Sequence, residues 1–279
     1  MSFSIDNISP NRLAISSWCY GSEYYAGHFS LLDLPELASR LGISNIEFND
    51  FMLPVPRFSR VAQPAYHLVG CGENDAWRYR ISTLKKLKQK LDQNQQKCVC
   101  WTMNTDFSNS RSWFGSSIYL WWGIQAAQIL KVDYLRIILG GDEQSSEADS
   151  QIAQKVSGAV QRVLEQLPNT SVILENHWGL STQIGRMTHI YAQARGRLKA
   201  AEQNRFGICL DPVNMLDAPL EPQWDRLIPH TKHAHLKLKK HSGEAIDLDL
   251  FVSKLRQSRY DGYFVIEDPD LLALLPPKA

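Results

Sequence analysis

The sequence has little of what marks a chain for export, for a membrane or for a charged polymer. Thirty Lys and Arg against 29 Asp and Glu leave a formal net charge of +1, with the two signs mixed along the chain. A broad basic footprint for nucleic acid or anionic lipid is therefore excluded, and a small-molecule partner is favoured. Five cysteines in 279 residues are too few, and odd in number, for a disulfide framework, which fits a reducing compartment. The opening MSFSIDNISPNRLAISSWCY lacks a basic segment followed by an apolar run, and the most apolar later stretch, IYLWWGIQAAQIL, is too short and too polar to span a bilayer. The expectation is a cytoplasmic protein, neither secreted nor embedded in a membrane. Low-complexity tracts, Gly/Ser linkers and charge blocks are missing too, so nothing divides the chain, although its length alone would permit two domains.

What is present is a rhythm of short apolar runs and amphipathic stretches. Eight runs read as strands: LAISSWCY (13–20), NIEFND (45–50), KCVCWTMNTD (97–106), YLRIILGG (134–141), VILENH (172–177), FGICLDPVN (206–214), KHAHLKLK (232–239) and GYFVIED (262–268). Between them, Ile152, Val156, Ala159, Val160, Val163, Leu164 and Leu167 recur at helical spacing, as do Ile81, Leu84, Leu87 and Leu91. Leu34, Leu37, Ala38 and Leu41 share another helical face, with Gly42 placed to cap it. This order predicts an α/β fold, a single-domain (β/α)8 TIM barrel, with a doubly wound open sheet as the alternative. The stretch FMLPVPRFSRVAQPAYHLVGCGENDA (51–76) carries three prolines and no period. It is expected to be a loop over the barrel mouth.

Parallel strands covered on both faces should be apolar on both, so polar residues at period two inside them need a reason. In KHAHLKLK, Ala234, Leu236 and Leu238 make one face, while His233, His235 and Lys237 make the other. In VILENH, Val172 and Leu174 suit the helix layer, whereas Ile173, Glu175 and His177 point inward and turn polar toward the C-terminal end. Cys209 followed by Asp211, and Val265 followed by Glu267, repeat the pattern, and Glu47 and Arg136 hold comparable positions earlier. Polar groups thus converge on the C-terminal rim, where such barrels carry their sites.

Glu175, Asp211, His235 and Glu267 are separated by 36 (175 to 211), 24 (211 to 235) and 32 (235 to 267) residues, close to one βα unit each. Three carboxylates and an imidazole suit one divalent cation, Mn²⁺, Mg²⁺, Co²⁺ or Zn²⁺. Without one, that crowding would repel and destabilise.

These pieces, in this order, resemble the xylose-isomerase-like barrels, including the sugar-phosphate isomerase/epimerase group. The resemblance rests on LDLPELASRLGISNIEFND, LRIILGG, LENHWGLST, CLDPVN, HAHLKLK and GYFVIED, and covers most of the chain. It implies Glu175, Asp211, His235 and Glu267 as metal ligands, with Glu175 and Glu267 also exchanging protons with the substrate carbon. The implied reaction is isomerisation or epimerisation of a sugar, sugar phosphate or polyol, deprotonated beside its carbonyl to an enediolate. The same fold and metal also serve dehydratases of inososes and dehydroshikimate, so a lyase is the alternative enzyme, and a non-catalytic carbohydrate-binding barrel is a third reading. Two positions depart from the family pattern: Asn214 and Leu238 stand where relatives carry a His and an Asp. The repeated histidines of the superfamily's trinuclear-zinc DNA-repair endonucleases are not evident.

Other candidates are substrate contacts. Lys237 and Arg136 can offer positive charge to an oxyanion or phosphate, and His177 and Glu47 lie on inward positions. Trp18, Tyr20 and Trp178, near strand ends, can stack on a sugar ring. Cys98 and Cys100 read as small packed side chains. Ile118, Trp121, Trp122, Gln125 and Ile129 lie at helical spacing, which suits a core or an interface in a homo-oligomer.

Overall fold

The computed structural model describes residues 5, 8–57, 61, 63–65, 76–108, 110–141, 143–216 and 219–275. Eight parallel strands close into a barrel in sequence order: β1 (Leu13–Ser16), β2 (Asn45–Asn49), β3 (Lys97–Thr102), β4 (Tyr134–Ile137), β5 (Ser171–Glu175), β6 (Phe206–Leu210), β7 (Thr231–Leu236) and β8 (Tyr263–Ile266). A helix follows each: α1 (Leu34–Arg40), α2 (Ile81–Gln93), α3 (Ser110–Leu130), α4 (Asp149–Gln166), α5 (Ile184–Gly196), α6 (Leu220–Leu227), α7 (Leu248–Gln257) and α8 (Pro269–Leu272). The closing pair is β1 with β8, Ala14 opposite Val265, so the open-sheet alternative does not apply.

Strand parity sorts the side chains into two cores. Val172, Leu174, Ala234 and Leu236 pack outward against the helix layer, within the same cluster as Ile152, Val156, Val160 and Val163 of α4. Ala14, Val99, Cys100, Ile173, Cys209 and Val265 fill the inside of the barrel. Tyr134 and Tyr263, the first residues of β4 and β8, pack against that inner cluster and meet edge to face at 6.2 Å. The N-terminal end of the barrel is therefore plugged, and only the opposite end can open.

Helix limits follow from local chemistry. Gly42 has φ +67°, and the Ile43 N–H donates to Ala38 O at 2.9 Å, a left-handed turn that ends α1 as expected. On α2, Leu84, Leu87 and Leu91 are buried, but Ile81 begins the helix and is 37% exposed. On α3, Ile118, Trp122 and Ile129 of the expected stripe are partly buried against the core, Trp121 is 48% exposed, and Tyr119, Leu120, Ile124 and Ala127 are fully buried. Several expected strands stop early. Residues 17–20 turn into a short 3₁₀ segment capped by the Ser16 side chain, and β3 ends at Thr102. Four of the five cysteines, Cys19, Cys98, Cys100 and Cys209, are buried free thiols, and Cys71 lies outside the described residues. So do 58–60, 62 and 66–75 of the proline-bearing insert. No helix among the described residues is long and apolar enough to cross a membrane.

Candidate metal centre

Four consecutive strands deliver the four expected ligands to one point. Ligand atoms of Glu175, Asp211, His235 and Glu267 all lie within 4.8 Å of one another, and all four residues are buried. His235 Nδ1 stands 3.0 Å from Glu267 Oε2, 3.3 Å from Glu175 Oε1 and 3.6 Å from Asp211 Oδ2.

Each ligand is aimed by its neighbours. Asp211 Oδ1 accepts from the Val213 and Asn214 N–H groups at 2.8 and 2.9 Å, which turns Oδ2 toward the cluster. Asn176, next to Glu175, accepts from Asp211 N at 2.9 Å and donates to Asp211 O at 2.7 Å, clamping the end of β5 to the end of β6. Past it, Gly179 has φ +64°, and a Cβ there would come within 2.2 Å of Gly141 O. Only glycine allows that approach, which seats the following Ser181 so that its hydroxyl accepts from Leu139 N at 2.9 Å. Asp268, beside Glu267, accepts from Leu238 N at 2.8 Å and caps α8.

Beneath the ligands lies a second set of charges. Glu47 on β2 accepts from His233 Nε2 at 2.8 Å and from His235 Nε2 at 3.3 Å. With Nε2 carrying the hydrogen, His235 presents Nδ1 to the three acids, the arrangement of a metal-binding imidazole oriented by a carboxylate. Burial would raise the Glu47 carboxyl, but the charges and N–H groups of His235 and His233 hold it well below the usual range. Burial would likewise raise Glu175, and Arg136, His177 and His235 outweigh it and bring it to about 2. Arg136 Nε lies 2.8 Å from Glu175 Oε2, off the hydrogen-bonding direction, while its Nη1 donates to Met103 O and Asn104 Oδ1, each at 3.0 Å. Lys237 Nζ sits 2.6 Å from Asp211 Oδ2 and 3.0 Å from Glu267 Oε2, and Asp211 and Glu267 hold its ammonium well above the usual lysine range despite its burial.

The residues present fit a divalent cation on two grounds. Glu175 Oε1 and His235 Nδ1 are buried with no hydrogen-bond partner, and Asp211 Oδ2, with the Lys237 ammonium at 2.6 Å, converges with them. In addition, Glu47, Glu175, Asp211 and Glu267 are buried against two fixed cations, Arg136 and Lys237. With His235 neutral, as a metal ligand must be, the excess is two negative charges, which one divalent ion cancels.

Above this floor opens a cavity of about 320 Å³. Glu267, Lys237, His177 and Asn214 form its lower wall, and Trp18, Tyr25 and Phe51 line it from β1 and β2. Trp18 meets Tyr25 edge to face at 6.4 Å and Phe51 at 5.8 Å. Asn49, Asn104 and His241 complete the lining, with His241 Nε2 3.2 Å from Asn214 Oδ1.

The family model for xylose isomerase-like TIM barrels matches residues 36–278. The chain belongs to the xylose isomerase-like TIM barrel family. Solved structures with the same fold include the probable 3-DHS dehydratase AsbF of Bacillus anthracis, at 13% identity and TM-score 0.63, covering 91% of each chain. A zinc-bound IOLI protein aligns at 15% identity and TM-score 0.60, over 94% of this chain and 91% of that one. A sugar phosphate isomerase/epimerase of Parabacteroides distasonis aligns at 13% identity and TM-score 0.54, over 91% and 88%. No curated protein matches the sequence. At these identities the likeness establishes the fold, and the family is mostly enzymatic.

Within this family barrel, the sequence-derived residues divide by depth. His177, Lys237, Trp18 and Glu267 reach the cavity. Arg136 and Glu47, expected as substrate contacts, are 1% and 0% exposed and are engaged with Glu175 and with the two histidines instead. They contact the candidate ligands Glu175 and His235 from below. Of the other ring candidates, Tyr20 stacks on Phe29 at 4.9 Å, and Trp178 is exposed and is not among the cavity-lining residues. Asn49, Asn104, Tyr25, Phe51 and His241 were not singled out from sequence. Asn49 and Asn104 fall at or just past the ends of β2 and β3, a position that could have flagged them. His241 comes from a loop whose course no pattern discloses.

Proposed function

We propose that this protein is a divalent-metal-dependent isomerase or epimerase of a sugar or related polyol, working by proton transfer beside a carbonyl. The observation that carries it is the convergence of Glu175, Asp211, His235 and Glu267 at a cavity of the open barrel end that Glu267 lines. A cation bound there supplies positive charge to stabilise a carbonyl oxygen as it turns negative.

The chain's own groups supply the rest. Glu267 lines the cavity and is placed to take a proton from a substrate carbon, while Glu175, ionised beside Arg136, is the second carboxylate of the pair. Lys237 keeps Asp211 ionised and lies 3.0 Å from Glu267 Oε2. The aromatic wall of Trp18, Phe51 and Tyr25 gives the C–H face of a sugar a surface to rest on, and Asn104 and Asn214 give its hydroxyls amides to bond.

A dehydratase is the second reading, favoured by His177. Its Nδ1 is buried without a hydrogen-bond partner, burial lowers its pKa, and it lines the cavity with Glu267 and Lys237. A neutral imidazole there can accept a proton while another group protonates a leaving hydroxyl.

The test is metal analysis of the purified chain combined with incubation of a ketose and inosose panel in D₂O. About one divalent ion per chain, lost in Glu267→Gln, and deuterium at the carbon beside the carbonyl are expected. A new enone absorbance would move the assignment to the lyase. No bound metal, together with unchanged metal affinity in Glu267→Gln, would overturn both.

A further inference from the structure

At the other end of the barrel, two hollows of about 380 and 290 Å³ adjoin and share Tyr191, Arg195, Gln203 and His230. Arg226 lines the first and Lys232 the second. They open beside the starts of β6 and β7, where Phe206, Thr231 and Lys232 stand, and so face away from the metal centre.

The electrostatics of this groove are one-sided. Three permanent cations, Arg195, Arg226 and Lys232, face it, and no carboxylate is among its described lining residues. Arg195 makes one long bond to Gln203 O at 3.3 Å. The side chains of Arg226 and Lys232 have no hydrogen bond or ion pair among the described residues, whereas the nearby Asp225 is already paired with Lys254 at 2.8 Å. In a chain whose formal charge is +1, such a concentration is local and not part of a broad basic surface.

The groove is also shaped. The stem of Lys232 lies over Gly207, where a Cβ would come within 2.5 Å of its Cδ, so the missing side chain of Gly207 makes the slot that guides the lysine. Tyr191 packs on Phe206 at 4.9 Å and on His230 at 5.2 Å, and its hydroxyl donates to Phe206 O. This leaves a fixed aromatic wall beside the cations.

We propose that this groove is a binding site for a small ligand carrying two anionic groups, of the diphosphate or bisphosphate class. One group would lie between Arg195, Arg226 and His230, the other between Arg195 and Lys232, with Arg195 shared by both. Guanidinium pairs suit phosphate oxygens because they present several donors in one plane. Concavity and the confinement of the charge favour a small molecule over a polymer, which would need a longer basic track.

Calorimetric titration of the full-length chain with pyrophosphate and with inorganic phosphate, at constant ionic strength, tests this. Saturable binding at one site is expected, tighter for pyrophosphate. An Arg226→Ala/Lys232→Ala variant should bind at least tenfold more weakly with an unchanged circular dichroism spectrum, since neither side chain has a hydrogen bond or ion pair to lose. Glu267→Gln should bind pyrophosphate as the parent does, which keeps the result independent of the metal centre. Equal binding by the double variant, loss of binding in Glu267→Gln, or a response that follows ionic strength alone would each overturn the proposal. So would binding of RNA or anionic vesicles that pyrophosphate does not displace.

Discussion

At Glu47, two imidazole N–H groups meet one buried carboxylate, and the state of His235 Nδ1 depends on that meeting. Glu47→Gln keeps all four proposed ligands but weakens the acceptor that orients His235. Metal affinity should fall by about 10- to 100-fold, the usual effect of removing such an outer partner, as read by competition with a chromophoric chelator. Unchanged affinity would show that His235 is oriented by other means. Arg136 makes a complementary case. Replacing it with Met leaves Glu175 charged in a pocket from which water is excluded, and breaking a buried pair in this way costs about 3–5 kcal/mol. Urea denaturation of metal-free protein should show that loss, and adding Glu175→Gln should recover part of it, because the uncompensated charge is then gone. No recovery would mean that the contacts of Arg136 with Met103 and Asn104 carry its contribution.

Among the elements, the turn after β5 is the most constrained. Gly179→Ala meets both a positive φ and backbone oxygen at 2.2 Å, so a loss of about 1–3 kcal/mol is expected, together with weaker metal binding through the displaced Glu175 strand end. Gly158, on the exposed face of α4 with no atom within 4 Å of an added Cβ, should instead stabilise the chain by about 0.5–1 kcal/mol on substitution by Ala. Opposite signs in urea melts of the two variants are the check. Elements were also where the sequence was most and least legible. The parity of β5 to β8 was readable because a buried strand has few reasons to alternate. Strand ends were not, because Cys19, Met103 and Phe107, just beyond β1 and β3, are themselves buried, so apolar character continues past the last pairing. The stripe on α3 was half legible: Ile118, Trp122 and Ile129 pack against the core while Trp121 does not, because both faces of that helix are apolar and period alone does not say which one meets the barrel. For the site, the convergence of Glu175, Asp211, His235 and Glu267 was legible because each lies at the end of a strand. Depth was not, and Arg136 and Glu47 look like cavity residues until their partners are known.

For the molecule as a whole, burial of phenols sets a limit on alkaline stability. Tyr134 is pushed up to about 12 by burial and then by Asp133 and Asp261, and Tyr191 to about 12 by burial, against a smaller opposing effect of Arg195. A folded pKa above the unfolded value of about 10 means that their stabilising contribution is complete below about pH 10 and is lost as the pH climbs toward 12. Urea midpoints should therefore fall across that window, and tyrosinate absorbance should rise together with the loss of helical signal. Tyrosinate appearing while the midpoint stays constant would contradict the linkage.

Barrel closure has one more consequence, for the order of events in a growing chain. The strand that pairs with β1 to close the sheet is β8, and the same segment brings Glu267, last of the four proposed ligands to leave the ribosome. Glu47 and Arg136 emerge much earlier, before the groups that neutralise them exist. A cation held by the four proposed ligands would therefore wait on the same late segment that seals the cylinder, and could not be bound halfway through synthesis.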